Sequence, residues 1–421
     1  MNKLLRTVCA GVLLAGALTV SVFAADFTEC ADHLKALGLF QGTAQGYELD
    51  RAPTRAEAAA MLVRLLGKED EARALPYDAP FTDLDDWQKP YVQYLYQNGL
   101  TTGVTESTFD PQSMCTARMY AAFLLRALGY TERAGDFTYR EAADFALSIG
   151  LYDPATVDEA RFLRDHVAAA SYTALSIAPK DEQQTLLDQL TGQGAVDAAA
   201  AEPYRALFAD YAAYRRATDK MDGVTALSLT HALTLDAGSF AMQSDESIAL
   251  DLAARTSLSQ RTVTLTAPGG LEKTFTAESY TAGGYRYLRQ DGVRSRRALS
   301  EAQMSAAFTG YARVPVALIE SVTAIPAGSY TIAYSKAGMA RLDAVLEAAK
   351  AAVGEVEALR IEDLSVTQTT ADGYVSAQQV QLVFSGEEVS GTVKSVMQLV
   401  EQGGQVTVAV PNDLDQYPLV G

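Results

Sequence analysis

RAPTRAEAAAMLVRLLG, residues 51–67, is the stretch that decides the fold of the N-terminal part of the chain. Thr54 is a good helix N-cap, and Glu57 follows three residues later, which is the spacing of a capping box. Apolar side chains then recur every three or four residues up to Gly67, a residue type that ends helices well. The stretch therefore predicts one capped helix, and its apolar stripe must be buried against other elements.

Two further stretches repeat this helix with decreasing similarity. They read MCTARMYAAFLLRALG at residues 114–129 and RFLRDHVAAASYTALS at residues 161–176. A shorter helix-forming segment precedes each copy and ends in Gly-Leu, at Gly38, Gly99 and Gly150, with spacings of 61 and 51 residues. A unit of this kind cannot bury its stripe alone, so we expect the three copies to pack together.

The composition is that of a folded and strongly acidic protein. Of the 421 residues, 48% are apolar and 20% are charged, and the formal net charge is −18. Binding to the phosphates of nucleic acid needs a basic face, so this charge argues against a nucleic-acid partner.

The N-terminus has the pattern of a signal peptide. Lys3 and Arg6 form a basic segment, and the mostly apolar residues 13–22 that follow are too few to span a membrane. Val22-Phe23-Ala24 fits a cleavage site, so we predict that residues 1–24 are removed; an uncleaved anchor is the alternative. No later segment has a transmembrane pattern, and we expect an exported protein.

The sequence contains no recognisable catalytic or metal-binding motif. After cleavage only Cys30 and Cys115 remain, and they either pair or are two separate buried residues. His33, His166 and His231 are far apart, and no spacing resembles a zinc site. Serine-hydrolase, zinc-protease and phosphate-loop motifs are missing as well. We therefore expect a non-catalytic protein without a metal or a cofactor.

The three copies together resemble S-layer homology domains. The second copy carries Phe81-Thr82-Asp83, Trp87 and Phe109-Asp110-Pro111, and the first keeps Thr54-Arg55-Ala56-Glu57 intact. The resemblance covers a domain at residues 25–201, with repeats at 27–70, 80–131 and 136–180 and a closing helix at 183–201. It implies an all-α bundle with pseudo-threefold symmetry, whose grooves bind secondary cell-wall polysaccharide, including pyruvylated forms.

The resemblance also implies which residues contact the polysaccharide: Arg55, Arg164, Trp87, Thr54, Glu57 and Asp83. A guanidinium can pair with a pyruvyl carboxylate through two parallel hydrogen bonds, and an aromatic face can cover a sugar ring. Amides at helix N-termini would add donors for an anion. The alternatives are structural: Thr54 and Glu57 only cap a helix, Trp87 belongs to a core, and Asp83 holds a turn.

The match to the family is uneven. In the second copy Ala117 stands where the arginine belongs, and Arg118 lies one place further, about 100° around a helix. In the third copy Arg164 aligns, but Leu163 and His166 replace the threonine and the glutamate. We therefore expect the second groove to be degenerate and anchoring to depend on Arg55 and Arg164.

The sequence pattern changes after Gly223 from a helical period to alternation. Segments such as RTVTLTAP, SYTIAYS and QVTVAVP alternate polar and apolar residues between glycine-containing turns, which predicts antiparallel strands. KAGMARLDAVLEAAKAAVG, residues 336–354, predicts a helix. We expect residues 204–421 to form an α+β antiparallel half-barrel with helices packed on the sheet, and the basic segment Arg294-Ser295-Arg296-Arg297 to lie at the tip of a strand loop.

This C-terminal part resembles the lipoprotein-carrier-like fold, in particular exported domains that end in Pro-x-Asp-Leu-x-x-Tyr, here residues 411–417. Relatives of that fold hold acyl chains between sheet and helix, so the resemblance implies a lipid or amphiphile as ligand. The predicted pocket lies beneath the helix and is lined by Leu342, Val345, Leu346, Ala349, Val380 and Leu382. A packed core without a cavity is the alternative.

Two functions follow from these resemblances. In the first, a non-catalytic protein is anchored in the cell wall or S-layer by the repeats and displays the half-barrel. In the second, the half-barrel is an envelope carrier or sensor for a hydrophobic ligand, and the repeats only locate it. The sequence leaves the choice between them open.

Overall fold

Residues 27–238, 240–308, 311, 313–326, 328–339, 360–386 and 390–420 are described by a computed structural model of the chain. The predicted signal peptide lies outside these residues. The predicted C-terminal helix is described only from Lys336 to Met339, which are helical. The pocket residues Leu342, Val345, Leu346 and Ala349 also lie outside the described residues.

Helices dominate the first half of the described chain. They are α1 Thr28–Ala36, α2 Arg55–Leu65, α3 Glu69–Ala74, α4 Lys89–Gln97, α5 Ala117–Ala127, α6 Ala142–Ser148, α7 Arg164–Leu175, α8 Leu186–Gly192 and α9 Ala198–Ala217, followed later by α10 Glu301–Ala307. The three predicted capped helices are α2, α5 and α7, and each of them contacts the other two. The short helices pack on them as well: α1 on α7, α4 on α2, and α6 on α5.

Each short helix ends at the predicted glycine. Gly38, Gly99 and Gly150 have φ angles of 76°, 69° and 75°, a left-handed conformation that glycine adopts without a Cβ penalty. The leucine that follows donates its amide back across the last turn, as in Leu100 N to Leu95 O at 2.7 Å. This end reverses the chain and leads it into the loop before the next long helix.

The second half forms one open, antiparallel sheet of eleven strands among the described residues, and the prediction of an antiparallel sheet is confirmed. The strands are β1 Ala226–Ala237, β2 Phe240–Asp251, β3 Thr256–Ala267, β4 Leu271–Ala282, β5 Tyr285–Gln290, β6 Val293–Ala298, β7 Ile319–Ile325, β8 Ser329–Tyr334, β9 Arg360–Ala371, β10 Tyr374–Ser385 and β11 Ser390–Gln402. Their order is β6-β5-β4-β3-β2-β1-β11-β10-β9-β8-β7. Two meanders therefore meet at the central pair β1 and β11.

The two outermost strands contact other segments. The C-terminal tail runs along β6, where the amide of Arg296 donates to the carbonyl of Pro418 at 2.8 Å and the amide of Val420 donates to the carbonyl of Arg296 at 2.9 Å. Tyr417, within the predicted terminal signature, is buried and packs edge-on against Tyr287. At the other edge, β7 lies against α9.

One hydrophobic core continues from the helices into the sheet region. It includes the buried segment Val316–Ile319, together with Val322 of β7 and Ile332 of β8. Tyr214 of α9 lies within it, and its hydroxyl bonds to Tyr311 at 2.7 Å and to the Gln368 side chain at 2.9 Å. The helical and sheet regions are therefore packed together rather than joined only by a linker.

The predicted domain boundary at residues 201–204 falls inside the continuous helix α9. Pro203 lies in the second turn of this helix, where it cannot donate the amide bond to Ala199 that another residue would make. The division into domains stays a prediction, as do the pseudo-threefold bundle and the carrier-like fold.

Cys30 and Cys115, the two cysteines among the described residues, are free and buried. The Cys30 thiol lies 3.8 Å from the carbonyl oxygen of Ala317, and the Cys115 thiol lies at the start of α5. Within the described ranges, no helix is both long enough and apolar enough to cross a membrane.

Candidate functional site

The candidate site is built on the first turns of α2, α5 and α7. The first helical residues are Arg55, Ala117 and Arg164, so the structure aligns the three copies as the sequence predicts. In α2 the capping box is complete: Glu57 N donates to Thr54 Oγ1 at 3.2 Å, and Thr54 N donates to a Glu57 carboxylate oxygen at 2.8 Å.

The other two copies each keep half of this capping box. In α5 the Thr116 hydroxyl accepts the amide of Met119 at 3.3 Å, but methionine cannot return a bond. In α7 the leucine N-cap has no acceptor, but the amide of Leu163 donates to His166 Nδ1 at 3.1 Å. His166 thus accepts the N-cap amide that Glu57 accepts in the first copy, a role that its residue type alone does not predict.

The amides at the start of α2 and α7 are already bonded to the loop of a neighbouring copy. Arg55 N and Ala56 N donate to the carbonyls of Ser113 and Pro111, at 2.8 and 3.1 Å. Arg164 N donates to Arg51 O at 2.9 Å, and the next amide, of residue 165, donates to the carbonyl of residue 49 at 3.1 Å. The expectation that these helix termini offer amides to an anion was therefore wrong, because neighbouring loop carbonyls take them.

Arg55 is buried without a carboxylate partner. Its side chain is 7% exposed, and its guanidinium lies over the Phe109 ring at 4.6 Å and near the Phe123 ring at 5.8 Å. One guanidinium nitrogen reaches the Thr101 hydroxyl at 3.5 Å, while Nε is buried without a hydrogen-bond partner. Burial lowers the pKa of Arg55, and Cys115 acts in the opposite direction. Among the described residues, no acidic group forms an ion pair with it.

Arg164 is equally buried but has partners. Its Nε donates to the carbonyl of Tyr47 at 2.9 Å, and a second nitrogen lies 3.9 Å from the Glu57 carboxylate. Glu57 is itself held by Arg51 through two bonds of 2.6 and 2.8 Å. Burial lowers the pKa of Arg164, and Glu57 opposes this shift. Arg164 thus joins the third helix to the loop of the first copy.

The second copy presents no arginine at the equivalent place. Ala117 is buried at the first helical position, and Arg118 is exposed. One residue corresponds to about 100° around a helix, so the Arg118 side chain turns away from the buried side of α5 on which Ala117 lies, as its spacing predicts.

Asp83 organises the loop that carries Phe109. Its carboxylate accepts the amide of Phe109 at 2.9 Å and the amide of Asp110 at 2.8 Å. Asp110 has a φ of 61°, and Glu48 stands at the same offset in the first copy with a φ of 51°. Asp83 therefore positions the ring that faces Arg55, a connection that sequence spacing did not reveal.

Trp87 is separated from Arg55. It is 50% exposed and packs edge-on against Tyr91, with ring centres 6.5 Å apart. The Tyr91 hydroxyl contacts Arg64, which lies nine residues, or about 13 Å, along α2 from Arg55. The structure does not bring the predicted aromatic platform next to this arginine.

The predicted hydrophobic pocket is described only at its sheet side. Val380 and Leu382 are buried, and Leu382 belongs to an apolar cluster on the sheet with Leu233 and Phe240. A different cavity, of about 390 Å³, lies where the helices meet the sheet region. It is lined by residues that include Ile149, Tyr211, Arg215, Arg216, Asp222 and Arg313. The predicted pocket stays a prediction.

Comparison with known proteins identifies one part of the chain. Residues 80–116 match the S-layer homology domain, which confirms the predicted family for the second repeat. The first and third repeats lie outside this match and stay predictions.

Three relatives share parts of their sequences with this chain. The middle cell wall protein of Brevibacillus brevis is 31% identical over 148 residues, which are 31% of this chain and 14% of that protein. The surface layer protein of Brevibacillus choshinensis is 32% identical over 146 residues, 31% of this chain and 13% of that protein. An endoglucanase of a Bacillus species is 37% identical over 79 residues, 19% of this chain and 8% of that protein. The chain thus covers only a small share of each relative, and the expected lack of catalysis stays a prediction.

Proposed function

We propose that this protein is attached non-covalently to a secondary cell-wall polysaccharide by three S-layer homology repeats, with Arg55 as the main contact to an acidic group of the polymer. The S-layer homology domain and the names of the relatives indicate an exported protein of the cell wall or surface layer. In this proposal the sheet region is displayed at the cell surface.

The packing of the helices supports three repeats in a cyclic arrangement. The short helix of each copy packs on the long helix of another copy, and the long helices α2, α5 and α7 contact one another. In α2 and α7, the amides of the first two helical residues bond to carbonyls in the loop of a neighbouring copy. These carbonyls lie four and six residues before the first residue of that copy's own long helix. A pseudo-threefold bundle would generate this repetition.

The observation that carries the proposal is the buried guanidinium of Arg55. A buried charge without an opposite charge is costly, so proteins rarely keep one without a use. Phe109 and Phe123 hold the guanidinium in place, and the long 3.5 Å bond to Thr101 leaves its outer nitrogens with hydrogen-bonding capacity for an added acceptor. A carboxylate on a sugar polymer would supply both the missing charge and the acceptor.

Arg164 differs from Arg55 in this respect. Its bonds to Tyr47 and its approach to Glu57 use the guanidinium within the protein. We therefore propose that Arg164 mainly stabilises the contact between the third and first copies, and that Arg55 mainly binds the polymer.

The test is sedimentation of the full-length protein with purified cell-wall sacculi that either retain or lack the secondary polymer. Arg55→Gln is expected to weaken binding about 10- to 150-fold, the effect of losing one charge-assisted hydrogen bond worth about 1.5–3 kcal/mol. The matched control is Arg118→Gln, which removes the same charge from the exposed place on α5 and should leave binding nearly unchanged. Arg164→Gln should reduce the free energy of unfolding by more than it reduces the free energy of binding to sacculi.

Two results would contradict the proposal. One is full binding by Arg55→Gln with an unchanged circular dichroism spectrum. The other is equal sedimentation with sacculi that lack the polymer, because the proposed contact would then be to another wall component.

A further inference from the structure

The β5–β6 hairpin is strongly basic in a chain whose net charge is −18. It contains five arginines, Arg286, Arg289, Arg294, Arg296 and Arg297. The prediction that the last three lie at the tip of a loop was wrong: the turn is Asp291-Gly292, and these arginines lie within β6. Since side chains alternate along a strand, the arginines are divided between the two faces of the sheet.

On one face, two arginines stand directly opposite each other and are both neutralised. Arg289 pairs with Arg294 across the two strands. Arg289 donates to Glu278 at 2.6 Å, and Arg294 donates to Asp413 of the C-terminal tail at 2.6 Å. Each charge of this pair therefore has its own carboxylate, while Arg296 on the same face lies over the Tyr285 ring.

On the other face, a second pair of arginines has no such compensation. Arg286 stands directly opposite Arg297. Neither side chain makes a hydrogen bond or an ion pair within the described ranges, and Arg286 Nε is buried without a partner. Burial lowers the pKa of Arg286, and the neighbouring charge of Arg297 lowers it further. Like charges placed directly opposite in an antiparallel sheet are destabilising.

The surroundings of this pair are rich in hydrogen-bonding groups. Buried Thr281 of β4 is the cross-strand neighbour of Arg286, and Ser257 of β3 is the neighbour of Thr281. A row of two hydroxyl residues and two arginines thus crosses four strands on one face.

We propose that Arg286 and Arg297 form a binding site for an oxyanion, such as a phosphate, sulfate or carboxylate group, carried by a polymer or free in solution. Two adjacent guanidinium groups can each give a planar pair of hydrogen bonds to such a group. Its negative charge would remove the repulsion between them. The site is independent of the proposed anchoring by Arg55.

The experiment measures thermal unfolding of the full chain in buffer with and without low-millimolar inorganic phosphate. In phosphate-free buffer, Arg297→Gln is expected to raise the melting temperature, because it removes the like-charge contact. Phosphate should raise the melting temperature of the unaltered protein, and Arg297→Gln should abolish this increase or require at least about tenfold more phosphate. Arg289→Gln is the matched control: it breaks the pair with Glu278 but should keep the phosphate effect.

Phosphate also stabilises many proteins without binding to them, so the difference between variants decides the outcome. An equal phosphate effect in the unaltered protein and Arg297→Gln would overturn the proposal, as would no effect in either. A lower melting temperature of Arg297→Gln in phosphate-free buffer would show that the pair is not repulsive and would also overturn it. Comparing a polyphosphate chain with inorganic phosphate at equal phosphate concentration then separates a polymer-borne group from a free ion.

Discussion

Glu69 connects three helices through its hydrogen bonds. Replacing it by glutamine should remove a contribution to the free energy of unfolding that depends on pH. The carboxylate accepts bonds from Arg64 of α2 at 3.0 and 3.1 Å, from Arg73 of α3 at 2.8 Å and from the Tyr91 hydroxyl of α4 at 2.5 Å. Burial alone would raise the pKa of Glu69, but these bonds outweigh it and hold the pKa at about 2, below the ordinary 4.5. This difference corresponds to about 3 kcal/mol of stability at pH 7.

The sign of the pH dependence follows from the direction of this shift. Because the pKa is depressed in the folded protein, the stabilisation is fully present above about pH 4.5 and is lost as the pH falls towards about 2. Urea unfolding at pH 7 should therefore show Glu69→Gln less stable by about 3 kcal/mol, and the difference should narrow to about 1 kcal/mol at pH 3. Glu71→Gln is the control, since Glu71 is half-exposed and, among the described residues, forms its ion pair with Lys68. A difference between Glu69→Gln and the unaltered protein that stays constant from pH 7 to pH 3 would refute the reasoning.

Three further predictions concern the core and the sheet. Gly103→Ala should lower the free energy of unfolding more than Gly99→Ala does. An added Cβ at Gly103 would lie 2.4 Å from the Phe81 ring, whereas the space at Gly99 is open. Equal urea midpoints of the two variants would contradict this. In a chain truncated after residue 217, the Cys30 thiol should react with Ellman's reagent much faster than in the full chain, because Ala317 then no longer covers it, and Cys115 should remain unreactive as the internal control. Glu246→Gln should lower the free energy of unfolding at pH 7 by about 1–3 kcal/mol, since the bond from Arg261 and the nearby His231 ring, 3.9 Å away, hold its pKa down against the effect of burial; unchanged stability at pH 7 would exclude that role.

The sequence predicts best what depends on neighbours along the chain. The capping box of Thr54 and Glu57 forms as its spacing predicts, and the one-place shift in the second copy does leave Ala117 buried and Arg118 exposed. These features are decided within one or two helical turns, where residue type and spacing fix the geometry.

Features decided by distant contacts could not be predicted in this way. The predicted closing helix ends at residue 201, but the chain stays helical through Pro203 to Ala217, where Tyr214 bonds to Gln368 of β9. The partner of Arg294 is Asp413, 119 residues away, so its compensation depends on where the tail folds. Similarly, the contact between Arg55 and Phe109 exists only because a loop of one copy packs on the helix of another.

The contact between the C-terminal tail and the edge strand β6 has a consequence for neighbouring molecules. The last strand of a sheet carries unpaired backbone groups, which can pair with a strand of another copy and start aggregation. Here the tail engages both backbone groups of Arg296 in β6, because Arg296 N donates to Pro418 O and Val420 N donates to Arg296 O. Where many copies lie side by side, this contact keeps the backbone groups of Arg296 from pairing with a strand of another copy. The tail thus helps adjacent copies to remain separate molecules.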